Sequence, residues 1–115
     1  MKYKKISNTE IEVSKICLGT MTFGEQNTEQ ESHEQLNYAF SKGVNFIDTA
    51  EMYSVPGRKE TQGNSELYVG SWLKDQKRED IVLASKVAGP NPGLAYIRND
   101  LGFSDKSIDD AINSS

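Results

Sequence analysis

The order of apolar runs and turn signals predicts an α/β fold built on a parallel sheet. Three short apolar runs, at residues 15–18, 44–48 and 81–86, have the character of buried strands. Two segments with helical periodicity separate them, so the pattern after an N-terminal hairpin is β-α-β-α-β. This alternation favours right-handed crossovers between parallel strands. A length of 115 residues allows one ordinary domain with a single core.

The first residues predict the hairpin and the first strand of the sheet. Residues 2–6 and 10–13 flank a Ser-Asn-Thr turn, and Ile11 and Val13 alternate with glutamates. The alternation is typical of a strand with one apolar face. The run at 15–18 ends at a glycine, which predicts a brief buried strand.

A capping box predicts the start of the first helix. The Thr28 hydroxyl can accept from the backbone N–H of Glu31, and the Glu31 side chain can reach back to Thr28. Gly43 suits the left-handed position that ends a helix, so we expect the helix to stop there. The apolar face of this helix consists of Leu36, Ala39 and Phe40. The second strand, residues 44–48, follows directly.

A second helix and a third strand continue the alternation. Ser65 can cap the helix, and residues 81–86 form a strand that is apolar enough to be covered on both faces. The apolar positions of the helix are Leu67, Val69, Trp72 and Leu73. We therefore expect two helices against three parallel strands.

The last segment predicts a third helix that lacks a terminating signal. Either Ser104 or Ser107 can act as its N-cap. Its apolar positions are Ile108, Ala111 and Ile112. This face has barely begun at Ser115, and neither a glycine cap, a basic last turn nor a proline follows it. We therefore expect the chain to be cut inside a longer fold.

Composition excludes several classes of protein. The net charge is −4 and no stripe of basic residues is present, which argues against a nucleic-acid partner. No apolar run approaches the roughly 20 residues of a membrane span, and the N-terminus lacks the apolar region of a signal peptide. The single cysteine, Cys17, excludes an internal disulfide and a cysteine-cluster zinc site, and we expect an inert buried thiol. A cytoplasmic protein with no membrane partner and no metal site is expected.

Three residues with complementary chemistry follow predicted strands. Asp48 ends the second strand, Lys86 ends the third, and Tyr53 lies five positions beyond Asp48. The carboxyl ends of parallel strands open on one side of a sheet, which holds the active site in β/α barrels. An ammonium beside a phenol favours the phenolate, and a carboxylate can hold the ammonium in place. Such a phenol can give a proton to a carbonyl oxygen, a step worth about 10²–10⁴-fold in rate.

Three motifs in this order resemble those of the aldo-keto reductases: ICLGTMTFG at 16–24, NFIDTAEMY at 45–53 and ASK at 84–86. The stretch ETQGNSE at 60–66 is most similar to the bacterial Tas-type subgroup. The resemblance implies the N-terminal part of a TIM (β/α)8 barrel, truncated after the hairpin and about three βα units. It also implies that residues 1–115 are an incomplete NADP-dependent oxidoreductase domain that reduces small aldehydes or ketones.

The resemblance also implies roles for individual residues. The catalytic residues correspond to Asp48, Tyr53 and Lys86. The nicotinamide end of NADP(H) would be lined by Gly19, Thr20, Met21 and Asp48. The family's fourth catalytic residue, a histidine after the next strand, has no counterpart, because the single histidine, His33, lies in the first predicted helix.

Two alternatives stay open at this point. The same fold could serve as a non-catalytic binding or regulatory module, as in the potassium-channel β-subunits that resemble this family. The chain could also be a standalone small α/β domain. For the truncated reductase we expect poor stability and no measurable activity of the 115-residue chain alone. The sequence carries no signal for an oligomeric state.

Overall fold

Alternating strands and helices fold the chain into a two-stranded hairpin and a three-stranded parallel sheet. The computed structural model describes residues 1–115. The strands are β1 (Tyr3–Lys5), β2 (Glu12–Ser14), β3 (Cys17–Gly19), β4 (Phe46–Asp48) and β5 (Val82–Ala84). The helices are α1 (Glu29–Ser41), α2 (Asn64–Leu73) and α3 (Asp105–Ser114), with 3-10 turns at Arg78–Asp80 and Pro92–Leu94. The predicted α/β class is confirmed.

The hairpin lies against the N-terminal end of β4 and is held there by side-chain hydrogen bonds of Asn45 and Tyr3. β1 and β2 pair antiparallel, as the alternation predicts. The Asn45 side chain accepts from the backbone N–H of Ser14 at 2.7 Å and donates to the carbonyl of Glu12 at 3.0 Å. At the other edge the Tyr3 hydroxyl donates to the carbonyl of Gly43 at 2.8 Å. These contacts fix the hairpin to the start of the sheet.

The parallel sheet has the order β3-β4-β5, and its three strands end level with one another. Gly19 pairs with Asp48, and Asp48 pairs with Ala84. One position earlier, Leu18, Ile47 and Leu83 are aligned and belong to the core beneath the helices. Since successive side chains on a strand point to opposite faces, Asp48 lies on the face away from the helices. That face carries no helix of its own.

The core forms where α1 and α2 pack on the helix-covered face of the sheet. Its buried members are Phe23, Leu36, Ile47, Val69, Trp72 and Ile81. The rings of Phe40 and Trp72 meet edge to face with 6.0 Å between their centres, a favourable aromatic geometry. Each fully buried side chain of this size contributes about 1.5–3 kcal/mol relative to exposure. The two helices therefore form one layer and the sheet another, with a single core between them.

The helix ends agree with the sequence in two cases out of three. Thr28 and Glu31 form the reciprocal capping box at the start of α1, and Ser104 rather than Ser107 caps α3. The expected cap of α2 is wrong, because Gly63 occupies the N-cap position with a φ of 87° and Ser65 lies inside the first turn. Ser65 is fully buried, and its hydroxyl donates to the carbonyl of Thr20 instead of capping the helix. None of the helices is long and apolar enough to cross a bilayer.

Candidate active site

The structure brings Asp48, Tyr53 and Lys86 together at the C-terminal edge of the parallel sheet. Asp48 ends β4, and Lys86 lies two residues beyond β5. The Lys86 ammonium donates to both Asp48 carboxylate oxygens, each at 2.7 Å, and to the carbonyl of Thr49 at 2.7 Å. The same ammonium lies over the Tyr53 ring, with 5.0 Å between Lys86 Nζ and the ring centre. An acid, a phenol and an amine thus share one small region.

The electrostatics of this cluster favour a charged lysine. Burial by itself lowers the pKa of Lys86, since it disfavours the ammonium. The hydrogen bonds that Lys86 donates to the Asp48 carboxylate, together with the negative charge of Asp48 and the proximity of Tyr53, outweigh this effect, so the pKa of Lys86 is raised. Lys86 therefore stays positive throughout the neutral range, and a fixed positive charge stabilises an adjacent phenolate.

Backbone hydrogen bonds extend the sheet past the last paired residues and fix this geometry. The N–H of Thr20 donates to the carbonyl of Asp48 at 3.0 Å, and the N–H of Thr49 donates to that of Ala84 at 2.9 Å. The N–H of Glu51 then donates to the carbonyl of Lys86 at 3.1 Å. The positions of Asp48 and Lys86 therefore follow from the strand register and from this short extension of the ladder.

A buried cluster of hydroxyls beneath the site was missed by the sequence analysis. The Ser65 hydroxyl donates to the carbonyl of Thr20 at 2.8 Å, and it lies 2.7 Å from the Thr20 hydroxyl and 3.2 Å from the Thr49 hydroxyl. All three residues are fully buried. The cluster ties the first turn of α2 to the ends of β3 and β4. The available signal was that Thr20 and Thr49 each directly follow a strand.

The four residues expected to line the nicotinamide end differ in accessibility. Gly19 and Met21 are exposed, and Asp48 is half-buried. A Cβ built on Gly19 would meet no atom within 4 Å, so space is open above this strand end. Thr20, in contrast, has 0% exposure and uses its hydroxyl within the buried cluster. The structure therefore does not bring the Thr20 side chain to the surface with the other three.

A buried ion pair next to the site was also missed. The Glu51 carboxylate accepts from the guanidinium of Arg98 and, at 2.8 Å, from the backbone N–H of Ala88. Glu51 was not singled out because its burial depends on an arginine 47 positions away. No local pattern in the sequence indicates that pairing.

Neither His33 nor Cys17 makes a hydrogen bond to Asp48, Tyr53 or Lys86. His33 Nε2 is 2.9 Å from the Ser71 hydroxyl and 3.0 Å from the carbonyl of Tyr68, so it joins α1 to α2. The expectation of a buried thiol is wrong, because Cys17 is exposed. Its strand is at the edge of the sheet, and its side chain is on the face without helices. Partial burial and the Asp48 carboxylate raise the pKa of the Cys17 thiol, against an opposing effect of Lys86.

Comparison with known proteins gives consistent matches. Residues 15–115 match the Aldo/keto reductase family. The chain is 50% identical over 117 residues to Protein tas of Escherichia coli, a match that covers 100% of this chain and 34% of the relative. It is 34% identical over 109 residues to a probable voltage-gated potassium channel subunit beta of Arabidopsis thaliana, covering 94% of this chain and 30% of that protein. An aldo-keto reductase structure from Bacillus halodurans (holo form) matches with a TM-score of 0.76 at 27% identity, covering 98% of this chain and 34% of that one.

The chain thus spans about a third of the length of the curated relatives it matches. The matched structures are β/α barrels, so the hairpin and the three parallel strands correspond to part of such a barrel. The resemblance inferred from three sequence motifs, including the Tas-type likeness, is confirmed. The fold, the family match and the close similarity to Protein tas agree, and the chain belongs to the aldo/keto reductase family.

Proposed function

We propose that this chain is part of an NADP(H)-dependent reductase that converts small aldehydes or ketones to alcohols. In this proposal, residues 1–115 are an incomplete oxidoreductase domain that acts in the cytoplasm and binds neither nucleic acid nor membranes. The observation that carries it is the bidentate contact of the Lys86 ammonium with the Asp48 carboxylate beside the Tyr53 ring. This arrangement suits the transfer of a proton from a phenol.

The residues present fit the nicotinamide end of the cofactor. No atom lies within 4 Å of a Cβ built on Gly19, so no side chain blocks this strand end next to Asp48, and Met21 is exposed nearby in the chain. When bound, NADP(H) supplies a hydride to the carbonyl carbon of the substrate. Gly19, Met21 and Asp48 would hold the nicotinamide end, while Thr20 supports them from below through its bond to the carbonyl of Asp48.

The chain's own residues supply the proton. The Tyr53 phenol donates its proton to the carbonyl oxygen as the carbon receives the hydride, so that an alcohol and a phenolate result. The Lys86 ammonium stabilises that phenolate, and Asp48 keeps the ammonium in place. A general acid of this kind contributes about 10²–10⁴-fold to the rate.

By itself the 115-residue chain is proposed to be inactive. Its single histidine is engaged between α1 and α2 and does not contact Asp48, Tyr53 or Lys86. The face of the sheet that carries Asp48 has no helix over it, and 48% of the Lys86 side chain and 36% of the Asp48 side chain are exposed. A closed, water-excluding site strengthens the electrostatic contacts on which such chemistry depends.

A chimera tests the proposal. Residues 1–115 would replace the corresponding third of Protein tas, and oxidation of NADPH would be followed with a panel of aldehydes and ketones. We expect activity in the chimera and none in the 115-residue chain. Tyr53→Phe in the chimera should lower kcat by about 10²–10⁴-fold. Tyr38→Phe is the matched control, because Tyr38 is exposed on α1 and should leave kcat unchanged.

A folded chimera that lacks activity, or one in which both tyrosine variants behave alike, would contradict the reductase. The similarity to a channel β-subunit favours one second candidate, a binding or regulatory module on the same fold. Such a module would bind NADPH in the chimera, and Tyr53→Phe would leave that binding and every other readout unchanged.

A further inference from the structure

The Glu51–Arg98 ion pair is the most deeply buried pair of charges in the chain. Only 4% of the Glu51 side chain and 12% of the Arg98 side chain are exposed. The other ion pairs each include a side chain that is at least half exposed, or nearly so. Burying two charges costs desolvation energy, which their mutual attraction does not always repay. A buried ion pair is therefore weak evidence of a stabilising role, and its contacts are the better guide to what it does.

Glu51 contacts the chain at Lys86 itself and two residues beyond it. Its backbone N–H donates to the carbonyl of Lys86 at 3.1 Å. Its carboxylate accepts from the N–H of Ala88, two residues further along, at 2.8 Å. Glu51 itself belongs to the turn that connects Asp48 to Tyr53. One residue thus links the segment that carries the phenol to the segment that carries the amine.

Arg98 contacts both partners of the Glu51–Ala88 hydrogen bond. Its guanidinium donates to the Glu51 carboxylate and to the carbonyl of Ala88 at 3.0 Å. Its Nε also donates to the carbonyl of Asp100 at 2.9 Å and lies 3.3 Å from the Ser107 hydroxyl in the first turn of α3. Arg98 therefore braces the Glu51–Ala88 contact against the start of α3.

We propose that Glu51 and Arg98 are positioning residues, which hold the Lys86–Ala88 segment against the Asp48–Tyr53 turn and so keep the Lys86 ammonium between the Asp48 carboxylate and the Tyr53 phenol. The inference rests on the proposed function, because this positioning matters for catalysis only if Tyr53 is the proton donor. The structural claim can nevertheless be tested on the 115-residue chain without cofactor or substrate.

The experiment measures the titration of Lys86 by competitive acetylation of amines with acetic anhydride across a pH series, followed by peptide mass spectrometry. The groups that face Lys86 are Asp48 and Tyr53, with the Cys17 thiol nearby. Lys77, which is exposed and has no ion pair, serves as the internal reference. The variants are Glu51→Gln, Arg98→Met and the double variant.

The two single variants separate positioning from direct electrostatics. Removing the negative charge of Glu51 would lower the pKa of Lys86 by a direct charge effect, whereas removing the positive charge of Arg98 would raise it. If the pair acts by positioning, both changes release Lys86 from Asp48, and both move its titration midpoint downward. We therefore expect a downward shift in all three variants and faster acetylation of Lys86 relative to Lys77.

Glu25→Gln is the matched control, because Glu25 also accepts from an arginine, Arg58, but makes no contact with Lys86. It should leave the Lys86 midpoint unchanged. Opposite shifts in Glu51→Gln and Arg98→Met, or no shift in either, would overturn the proposal. If Arg98→Met does not fold, Arg98→Lys replaces it. A lysine keeps the charge but loses the forked contact, so a direct charge effect predicts no shift of the Lys86 midpoint, whereas positioning predicts a downward shift.

Loss of folding in every pair variant, with Glu25→Gln folded, would also overturn it, because the pair would then be only a folding element. Failure of the reductase proposal looks different. In that case the Lys86 midpoint would shift as expected in the isolated chain, while the chimera with Protein tas would lack NADPH-dependent activity.

Discussion

Lys86 contacts the other two reactive residues of the candidate site, Asp48 and Tyr53. Its ammonium has three protein acceptors, two from the Asp48 carboxylate and one from the carbonyl of Thr49. An ammonium has three protons to donate, so this set satisfies it completely. The direct acceptors of the charge beside Tyr53 are therefore Asp48, the last residue of β4, and Thr49, which follows it.

The raised pKa of Lys86 predicts how this contact contributes to stability at different pH values. A lysine whose pKa is higher in the folded than in the unfolded chain stabilises the fold at every pH below its ordinary value, and the contribution disappears as the pH rises through the folded value. Lys86→Met should therefore lower the free energy of unfolding at neutral pH. The difference from the parent chain should shrink as the pH rises above about 10.4, the ordinary lysine value.

Urea unfolding at several alkaline pH values would measure this difference. Lys77→Met is the control, because Lys77 is exposed and unpaired. A difference that stays constant up to strongly alkaline pH in Lys86→Met would show that the ammonium does not stabilise the fold through its charge.

At the level of elements, the hydroxyl cluster determines how α2 meets the sheet. Ser65 lies in the first turn of α2, and its partners Thr20 and Thr49 follow β3 and β4 directly. These hydrogen bonds therefore fix the position of the first turn of α2 relative to the C-terminal ends of β3 and β4. Since the carbonyl of Thr49 also accepts from Lys86, the placement of the helix and of the ammonium are connected through one residue.

Ser65→Ala should destabilise the fold through this cluster. The change removes a buried donor and leaves the carbonyl of Thr20 without that partner, which costs about 1–3 kcal/mol. Urea unfolding should show a lower midpoint with an unchanged m-value. Ser71→Ala is the matched control on the same helix, because Ser71 is only partly buried, and its effect should be smaller. Equal effects of the two variants would exclude a special role for the cluster.

The sequence predicts contacts between residues that are close along the chain better than contacts between residues far apart along it. The capping box of α1 needs two residues three positions apart, and it was predicted correctly. The cap of α2 was not, because Ser65 binds Thr20 across 45 positions and Gly63, which has no side chain to cap with, occupies the N-cap position. Asp48, Tyr53 and Lys86 could be placed together because strand ends of a parallel sheet share one side. The Glu51–Arg98 pair could not, since it depends on how a loop folds over the sheet.

For the whole molecule, the sheet has one covered and one uncovered face. The covered face packs on α1 and α2 through Leu18, Ile47 and Leu83. The other carries Asp48, together with the exposed Cys17 and the half-buried Phe46 and Val82. In the barrels of the matched structures, strands close into a ring whose interior is filled by side chains. The chain presents the corresponding face to solvent.

The reactivity of the Cys17 thiol measures whether this uncovered face of the sheet is open to solvent. In the 115-residue chain its thiol should react with a maleimide in native buffer at mildly alkaline pH, because the residue is exposed. In the chimera with Protein tas the same thiol should be protected, since the added strands would cover its face. Peptide mass spectrometry identifies the labelled residue, and labelling under denaturing conditions gives the reference rate. Equal native labelling in both proteins would mean that the face stays open in the chimera.

Because β3, β4 and β5 end level with one another, the register of each strand determines which of its side chains face the candidate site. Side chains alternate between the two faces with a period of two residues, so Asp48 and its neighbour Ile47 have opposite orientations. Insertion of a single residue after Phe46 would rotate the rest of β4 by half a period. The carboxylate would then turn toward the aliphatic packing under α1 and α2, and an isoleucine would stand opposite Lys86. Short length changes in β4 should therefore be far more damaging than substitutions of comparable size.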